Sequence, residues 1–283
     1  MLTGYAHPEV LVDTAWLNDH LGNPSVRVVE VSEDVTLYGQ GHIPGAIHFN
    51  WETQLQDRVR RDWLNREQFE HLLGSHGISN DTTVVLYGDK NNWFATYTFW
   101  LFKMYGVERV KVLNGGRGKW IVEGRPLPTE TLSYAATLFR ATGPDVTIRA
   151  FRDQVLERVG TPGTALVDVR SPQEYSGELI AMPAYPQEGA QRGGHIPTAQ
   201  SIPWGQNVRE DGTFKACEDL ARLYEDKGIT RDQEIIAYCR IGERSSLTWF
   251  TLKYLLGYPR VRNYDGSWTE WGSLVGVPIE KAV

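Results

Sequence analysis

Cys239 is followed by Arg240, Ile241, Gly242, Glu243, Arg244, Ser245 and Ser246, so a thiol stands beside two guanidiniums, a permissive backbone point and two hydroxyls. This combination suits a sulfur nucleophile acting on an anion, because the thiolate is the reactive form and electropositive turns favour it. A short apolar run, Ile235 to Tyr238, reads as a buried strand, and Leu247 to Leu256 reads as a helix stopped by Gly257 and Pro259. Cys239 is therefore expected on a strand-to-helix turn, where N–H groups lack helical partners and the dipole adds about half a positive charge. A free thiol with a pKa of about 8.5 is only about 3% ionised at pH 7, and a shift to about 6.5 costs about 2.7 kcal/mol. The helix end supplies up to about 2 kcal/mol of this, and Arg240 or Arg244 is expected to supply the rest.

Further roles follow from residue type. Loop N–H groups from Arg240 to Ser245 are expected to hold an anionic sulfur, and Arg240 and Arg244 to grip oxyanions with forked contacts. Gly242 allows the backbone to curl. Ser245 and Ser246 either donate to sulfur or cap the helix. Each has a plainer alternative: a lone Cys is most often buried structure, and either arginine can form an ion pair of small value, with Glu243 as an obvious partner. Cys217, at a presumptive helix start, has no visible partner and reads as a bystander.

The 283 residues are enough for two domains, each with its own core. A net charge of −6 and a pI near 5.7 exclude a broad basic surface for nucleic acid. Two cysteines form no disulfide framework, and the chain lacks the Cys and His spacings of a metal site. Met1 to Val12 does not read as a leader, and no apolar run approaches the roughly 20 residues that span a bilayer. The expectation is a soluble cytoplasmic protein with no membrane partner.

Laid on itself at a constant offset of 151, the chain repeats. Gly77 meets Gly228, Tyr87 meets Tyr238, Phe99 meets Phe250, Gly106 meets Gly257, Gly115 meets Gly266 and Trp120 meets Trp271. Gly41-His42-Ile43-Pro44 answers Gly194-His195-Ile196-Pro197, so both histidines are expected to steady a shared turn. Short apolar strands (Val26 to Val31, Val84 to Tyr87, Val110 to Leu113, then Ala165 to Val169, Glu234 to Tyr238, Val261 to Tyr264) alternate with helical stretches, which predicts parallel sheets with helices on both faces. Domains are expected at 1–130 and 147–283, joined by a Thr- and Pro-containing linker at 131–146. Gly88 stands where Cys239 stands, so the first half has no loop thiol. Between Asp168 and His195 the second half carries fifteen more residues than the first half does between Glu30 and His42, including Pro183 and Pro186, a candidate lid or bridge.

The six residues Cys239 to Arg244 resemble the active-site loop of the rhodanese sulfurtransferases, where Cys-Arg-x-Gly-x-Arg or Cys-Arg-x-Gly-x-Thr is typical. The pairing of a thiol-bearing half with a thiol-less half resembles the tandem-domain members. That resemblance covers nearly the whole chain. It implies an α/β fold of two rhodanese-like domains, the first inactive, and transfer of the outer sulfur of thiosulfate through a Cys239 persulfide. Sulfite is released, and cyanide or a thiol is the acceptor. The implied partners are small sulfur donors and acceptors, with the persulfide in place of a cofactor. Arg240, Ile241, Gly242, Glu243, Arg244 and Ser245 become substrate-binding positions. Asp168 and Arg170 match the family's Asp-x-Arg, whose carboxylate steadies the loop. Trp93 and Phe94 match aromatics that wall the site, with ordinary core as an equal alternative. The vertebrate enzymes have Lys where Ile241 stands, Arg where Glu174 stands and Thr where Arg244 stands; the Arg244 charge is expected to compensate.

Three other readings compete. Mercaptopyruvate sulfurtransferases usually carry Cys-Gly-x-Gly, which Arg240 disfavours. A persulfide carrier would load sulfur without turnover. Cysteine phosphatases of this fold need five residues between Cys and Arg, and here there are four.

Overall fold

In the computed structural model, which describes residues 4–185 and 189–281, the chain forms two α/β units. One holds Glu9–Asp145 and Val208–Phe214; the other holds the chain up to Pro8, Val146–Asn207 and Lys215 onward. Strands of the first unit are β1 (Leu11–Val12), β2 (Val26–Glu30), β3 (Ile47–His48), β4 (Thr83–Tyr87) and β5 (Val110–Leu113), in the order β1-β5-β4-β2-β3. The second unit has β6 (Thr164–Asp168), β7 (Gln200–Ser201), β8 (Glu234–Tyr238) and β9 (Val261–Tyr264), in the order β7-β6-β8-β9. Every pairing between these strands is parallel. Parallel neighbours need crossover connections, and helices such as Trp93–Met104 and Cys217–Glu225 supply them. The fold class expected from the alternation is the one observed. The two-residue strands β1, β3 and β7 have no counterpart among the expected elements, because two residues carry no period.

The matching strands β2, β4, β6 and β8 are buried from their second residue to their last, which explains their continuous apolar runs. The repeated Gly-His-Ile-Pro turns are wired alike. His42 stacks on Tyr38 at 3.9 Å and His195 on Tyr175 at 3.7 Å. Each Nδ1 lies 2.9 Å from the carbonyl of its stacked tyrosine. Below them the Ile43 and Ile196 N–H groups donate to the hydroxyls of Tyr87 and Tyr238, each at 3.0 Å.

Residues 125–145 form no regular element, but they are tied to the first unit along their length. His42 N–H donates to Pro128, the Arg27 guanidinium lies over Tyr134, Thr137 N–H donates to Gly74, and Ala141 N–H donates to Glu70. In the second unit the extra loop is pinched where Gly177 meets Gly193 and Gly194 so closely that a Cβ on Gly177 would lie 2.8 Å from the Gly194 nitrogen. Pro186, part of the predicted lid, lies outside the described residues, as do Met1 and Val283 at the chain ends.

Candidate active site

β8 ends at Tyr238, and the next helix runs Glu243–Phe250, so Cys239 to Gly242 make the turn. The helix starts four residues before the expected Leu247. The polar run looked like loop, but Glu243 is buried and the Ser246 hydroxyl bonds back to the Glu243 carbonyl at 2.7 Å, which accommodates both inside a first turn. Gly242 sits at φ 102°, and a Cβ there would lie 2.8 Å from the Asp265 Cα. Glycine is demanded twice, by conformation and by space.

The turn is clamped from the end of β9. Cys239 N–H donates to Ser267 Oγ at 3.0 Å, and the Ser267 hydroxyl donates to the Tyr264 carbonyl at 2.6 Å. The Cys239 carbonyl accepts from Trp268 N–H at 3.0 Å, and the Arg240 carbonyl accepts from Thr269 N–H and its hydroxyl. Asn263 Nδ2 donates to the Gly242 carbonyl at 3.0 Å, while its Oδ1 accepts the Ser245 hydroxyl at 2.6 Å. Ser245 Oγ is 3.6 Å from the sulfur. A hydroxyl has one hydrogen, and the short Asn263 bond claims it.

Cys239 is fully buried. Its Sγ accepts from Gly242 N–H at 3.2 Å and lies 3.2 Å from Glu243 Oε2. Ile241 N–H points at that same carboxylate oxygen, also at 3.2 Å. Burial pushes the Cys239 thiol up, the Glu243 charge pushes it further, and Arg244 with the Ser245 N–H opposes them without prevailing. This corrects the expectation of a depressed thiol in the resting loop. The helix dipole and two arginines favour a thiolate, but desolvation opposes them and carboxylates already hold both arginines.

Arg244 is buried, with Nη1 and Nη2 donating to Glu174 at 2.9 and 3.0 Å and Nε 3.5 Å from Glu243. Burial alone would raise the Glu174 carboxyl, but the Arg244 fork outweighs it and holds it at about 2. The Arg244 charge is thus taken up by Glu174 instead of replacing the basic groups that the vertebrate enzymes carry at 241 and 174. Arg240 pairs with Glu243 at 3.1 Å, and its guanidinium lies 4.3 Å over the Tyr185 ring. Glu243 carries a lowered pKa: burial works against the charge, and Arg240 and then Arg244 restore it. Ile241 is buried beside them.

Asp168 grips Arg170 with both carboxylate oxygens, the shortest contact being 2.6 Å. The pair reaches the loop at one remove. Arg170 lies 4.4 Å over the Trp268 ring, whose backbone holds Cys239, and Asp168 bonds Tyr238, the residue before it. Trp93 and Phe94 are buried at the start of the first unit's helix Trp93–Met104, Phe94 stacked on Trp51 at 4.2 Å. Cys217 opens the helix Cys217–Glu225, where burial raises its thiol.

Sequence reasoning missed Tyr185, Ser267 and Asn263. The repeat held a signal for the last: at offset 151 a fully buried Asn263 replaces Val112 in a core strand. An amide in such a place needs partners, and the turn supplies them.

Comparison with known proteins agrees with this geometry. The rhodanese-like domain model matches twice, at residues 13–123 and 151–274. The chain is similar to the sulfur carrier protein TtuD of Thermus thermophilus, 60% identical over 98% of this chain and 99% of that one. It is 56% identical to a protein of Saccharopolyspora erythraea named as a putative thiosulfate sulfurtransferase, over 96% of each. Among solved structures it superposes, with a TM-score of 0.85 and 26% identity, on an EanB variant described as a cysteine persulfide in a tetrahedral intermediate state with ergothioneine. That match covers 99% of this chain and 72% of that one. With the domain matched twice and relatives above half identity over nearly full length, the chain belongs to the rhodanese-like sulfurtransferase family.

Proposed function

We propose that this chain moves the outer sulfur of thiosulfate to a thiophilic acceptor, cyanide or a thiol, through a persulfide on Cys239. The observation that carries the reading is the seat of the sulfur: a buried Sγ at the mouth of a strand-to-helix turn, with Gly242 N–H on it and the Ile241 N–H beside it. Cys239, once deprotonated, attacks the outer sulfur. A new S–S bond forms, the S–S bond of thiosulfate breaks, and sulfite departs with that electron pair. The acceptor then attacks the terminal sulfur, and Cys239 leaves as thiolate and regains a proton. Two displacements through one covalent intermediate make ping-pong kinetics the expected signature. In this reading the loop amides hold the anionic persulfide and Arg240 takes the sulfonate oxygens. Glu243, Arg244 and Ser245 line the loop, while Asp168 and Arg170 keep it in register.

The test is intact mass and sulfite release after incubation with thiosulfate, followed by thiocyanate formation on adding cyanide. One added sulfur with stoichiometric sulfite and steady turnover supports the reading; no added sulfur removes it. A carrier role is the second reading, favoured by the TtuD name of the 60% identical relative. Stable loading without turnover on cyanide or thiols would select it.

A further inference from the structure

The side chain of Glu243 points into its own loop. Oε2 lies 3.2 Å from Cys239 Sγ and accepts Ile241 N–H at 3.2 Å; Oε1 lies 3.1 Å from an Arg240 terminal nitrogen and 3.5 Å from Arg244 Nε. The residue is fully buried, so this carboxylate is part of the interior of the site. One loop amide and one guanidinium on a negative oxygen pair are also what the departing sulfonate of a sulfur donor needs.

We propose that Glu243 is a specificity-determining residue of this site: its carboxylate occupies the place of the donor's anionic end, and a donor reaches Cys239 by displacing it from Ile241 and Arg240. The proposal rests on the sulfurtransferase reading and adds which charge the site selects. The surroundings leave little spare attraction for a dianion. Arg244 is taken by Glu174, Arg170 by Asp168 and Arg149 by Asp265, on which Gly242 packs. With Arg240 on Glu243, each of these arginines has its own carboxylate. The first unit gives an independent sign that this position turns inward. Asn92, the counterpart of Glu243 at offset 151, folds into its own loop, accepting Gly88 N–H at 3.0 Å and donating to Leu113 at 2.8 Å. The inward pose belongs to the repeat; the charge belongs to the thiol-bearing loop.

Glu243→Gln keeps the shape and removes the charge. Iodoacetamide is neutral and needs no sulfur donor, so the pH profile of Cys239 alkylation reads the carboxylate directly. Its midpoint is expected to fall by about one pH unit or more, and sulfite should protect Cys239 about tenfold better than in wild type. Removing one negative charge relieves a dianion twice as much as a monoanion. The KM for thiosulfate should therefore fall about tenfold and that for a monoanionic alkyl persulfide only about threefold, with kcat nearly constant. If the glutamine variant misfolds, Glu243→Asn, the residue type of the first unit, takes its place. An unchanged alkylation profile with unchanged sulfite protection overturns the proposal. So does a loss of kcat of about 100-fold or more at saturating thiosulfate, which would make Glu243 the acceptor of the thiol proton instead. Failure of thiosulfate to load either protein would strike the proposed function alone, because alkylation and sulfite protection still decide the place of the carboxylate.

Discussion

At matching places in the repeat, the two units turn from strand to helix around different interiors. In the first unit Lys90, Asn91 and Asn92 take positive φ values of 45°, 55° and 70°, and the neutral Asn92 amide fills the turn. Asp89 faces away, accepting the N–H groups of Glu33 and Asp34 at 2.6 and 3.2 Å. A Cβ on Gly88 would overlap the Val31 carbonyl oxygen. In the second unit one glycine takes the positive φ, and the interior holds a thiol and a carboxylate. The buried ion pairs differ too. Glu174 is drawn down by Arg244, whereas Glu30 is pushed up by burial, which Tyr87, Arg117 and Ser32 only partly offset. The comparison teaches that the thiol-less unit is not the thiol-bearing one with its cysteine deleted; the Val31 backbone lies where the Cβ of a cysteine at position 88 would have to be.

The largest test of that statement is a transplant. Cys239→Ala should abolish sulfur loading, and adding Gly88→Cys to it should restore none, because the Cβ overlap with Val31 forces the loop apart; intact mass after thiosulfate reads both. Sulfur found on residue 88 would break the comparison. Next in size is the buried pair of the thiol-bearing unit. Glu174→Gln leaves the buried Arg244 charge with only the Glu243 carboxylate, which Arg240 also uses, and should cost about 3–5 kcal/mol in urea unfolding. Glu174→Gln combined with Arg244→Met should cost less than Glu174→Gln alone, since the double variant strands no charge. A double variant worse than the single one would show that packing, not charge balance, holds this corner.

The acid limb sharpens the same contrast. Because the folded-state pKa of Glu174 is held at about 2, below its unfolded value, its stabilisation is complete above about pH 4.5 and fades as the pH falls toward about 2. Glu30 has the opposite sign: its folded-state pKa is raised, so its contribution is favourable at low pH and is lost as the pH rises through that value. Chemical unfolding between about pH 2 and 6 should therefore show Glu174→Gln flattening the acid loss and Glu30→Gln steepening it. The smallest effect is expected where the units agree. His42→Phe and His195→Phe keep the stack on Tyr38 or Tyr175 and lose the Nδ1 contact with its carbonyl, and His42→Phe also loses the Nε2 contact with the Glu130 carbonyl, so the cost should be about 1 kcal/mol for His195→Phe and about 1–2 kcal/mol for His42→Phe. Sulfur loading should stay within about twofold of wild type. A much larger loss of loading in His195→Phe alone would give that histidine a role in the chemistry.

Much of this was legible in the residues because it depends on local pattern. Parallel sheets followed from buried apolar runs separated by helical stretches, and the turn position of Cys239 followed from the run that ends at Tyr238. Gly242 declared a special conformation. What was not legible depends on where a side chain goes after it leaves the backbone. Glu243 reads as a solvent partner for an arginine, yet it is swallowed by its own loop. Arg244 reads as an oxyanion grip, yet Glu174, seventy residues away, already holds it. Asn263 and Ser267 look ordinary until β9 delivers them beneath the turn, and Tyr185 comes from the loop that only the second half carries.

The amino-acid sequence by itself determined the twofold plan, the α/β class and the one loop that carries a thiol, because periodicity, glycine placement and self-similarity are properties of neighbours along the chain. Only the tertiary structure decided the charge state around that thiol. Desolvation and ion pairing depend on which distant groups are brought within a few ångströms, and no spacing in the sequence encodes that the sulfur of Cys239 would face a carboxylate instead of an uncompensated arginine.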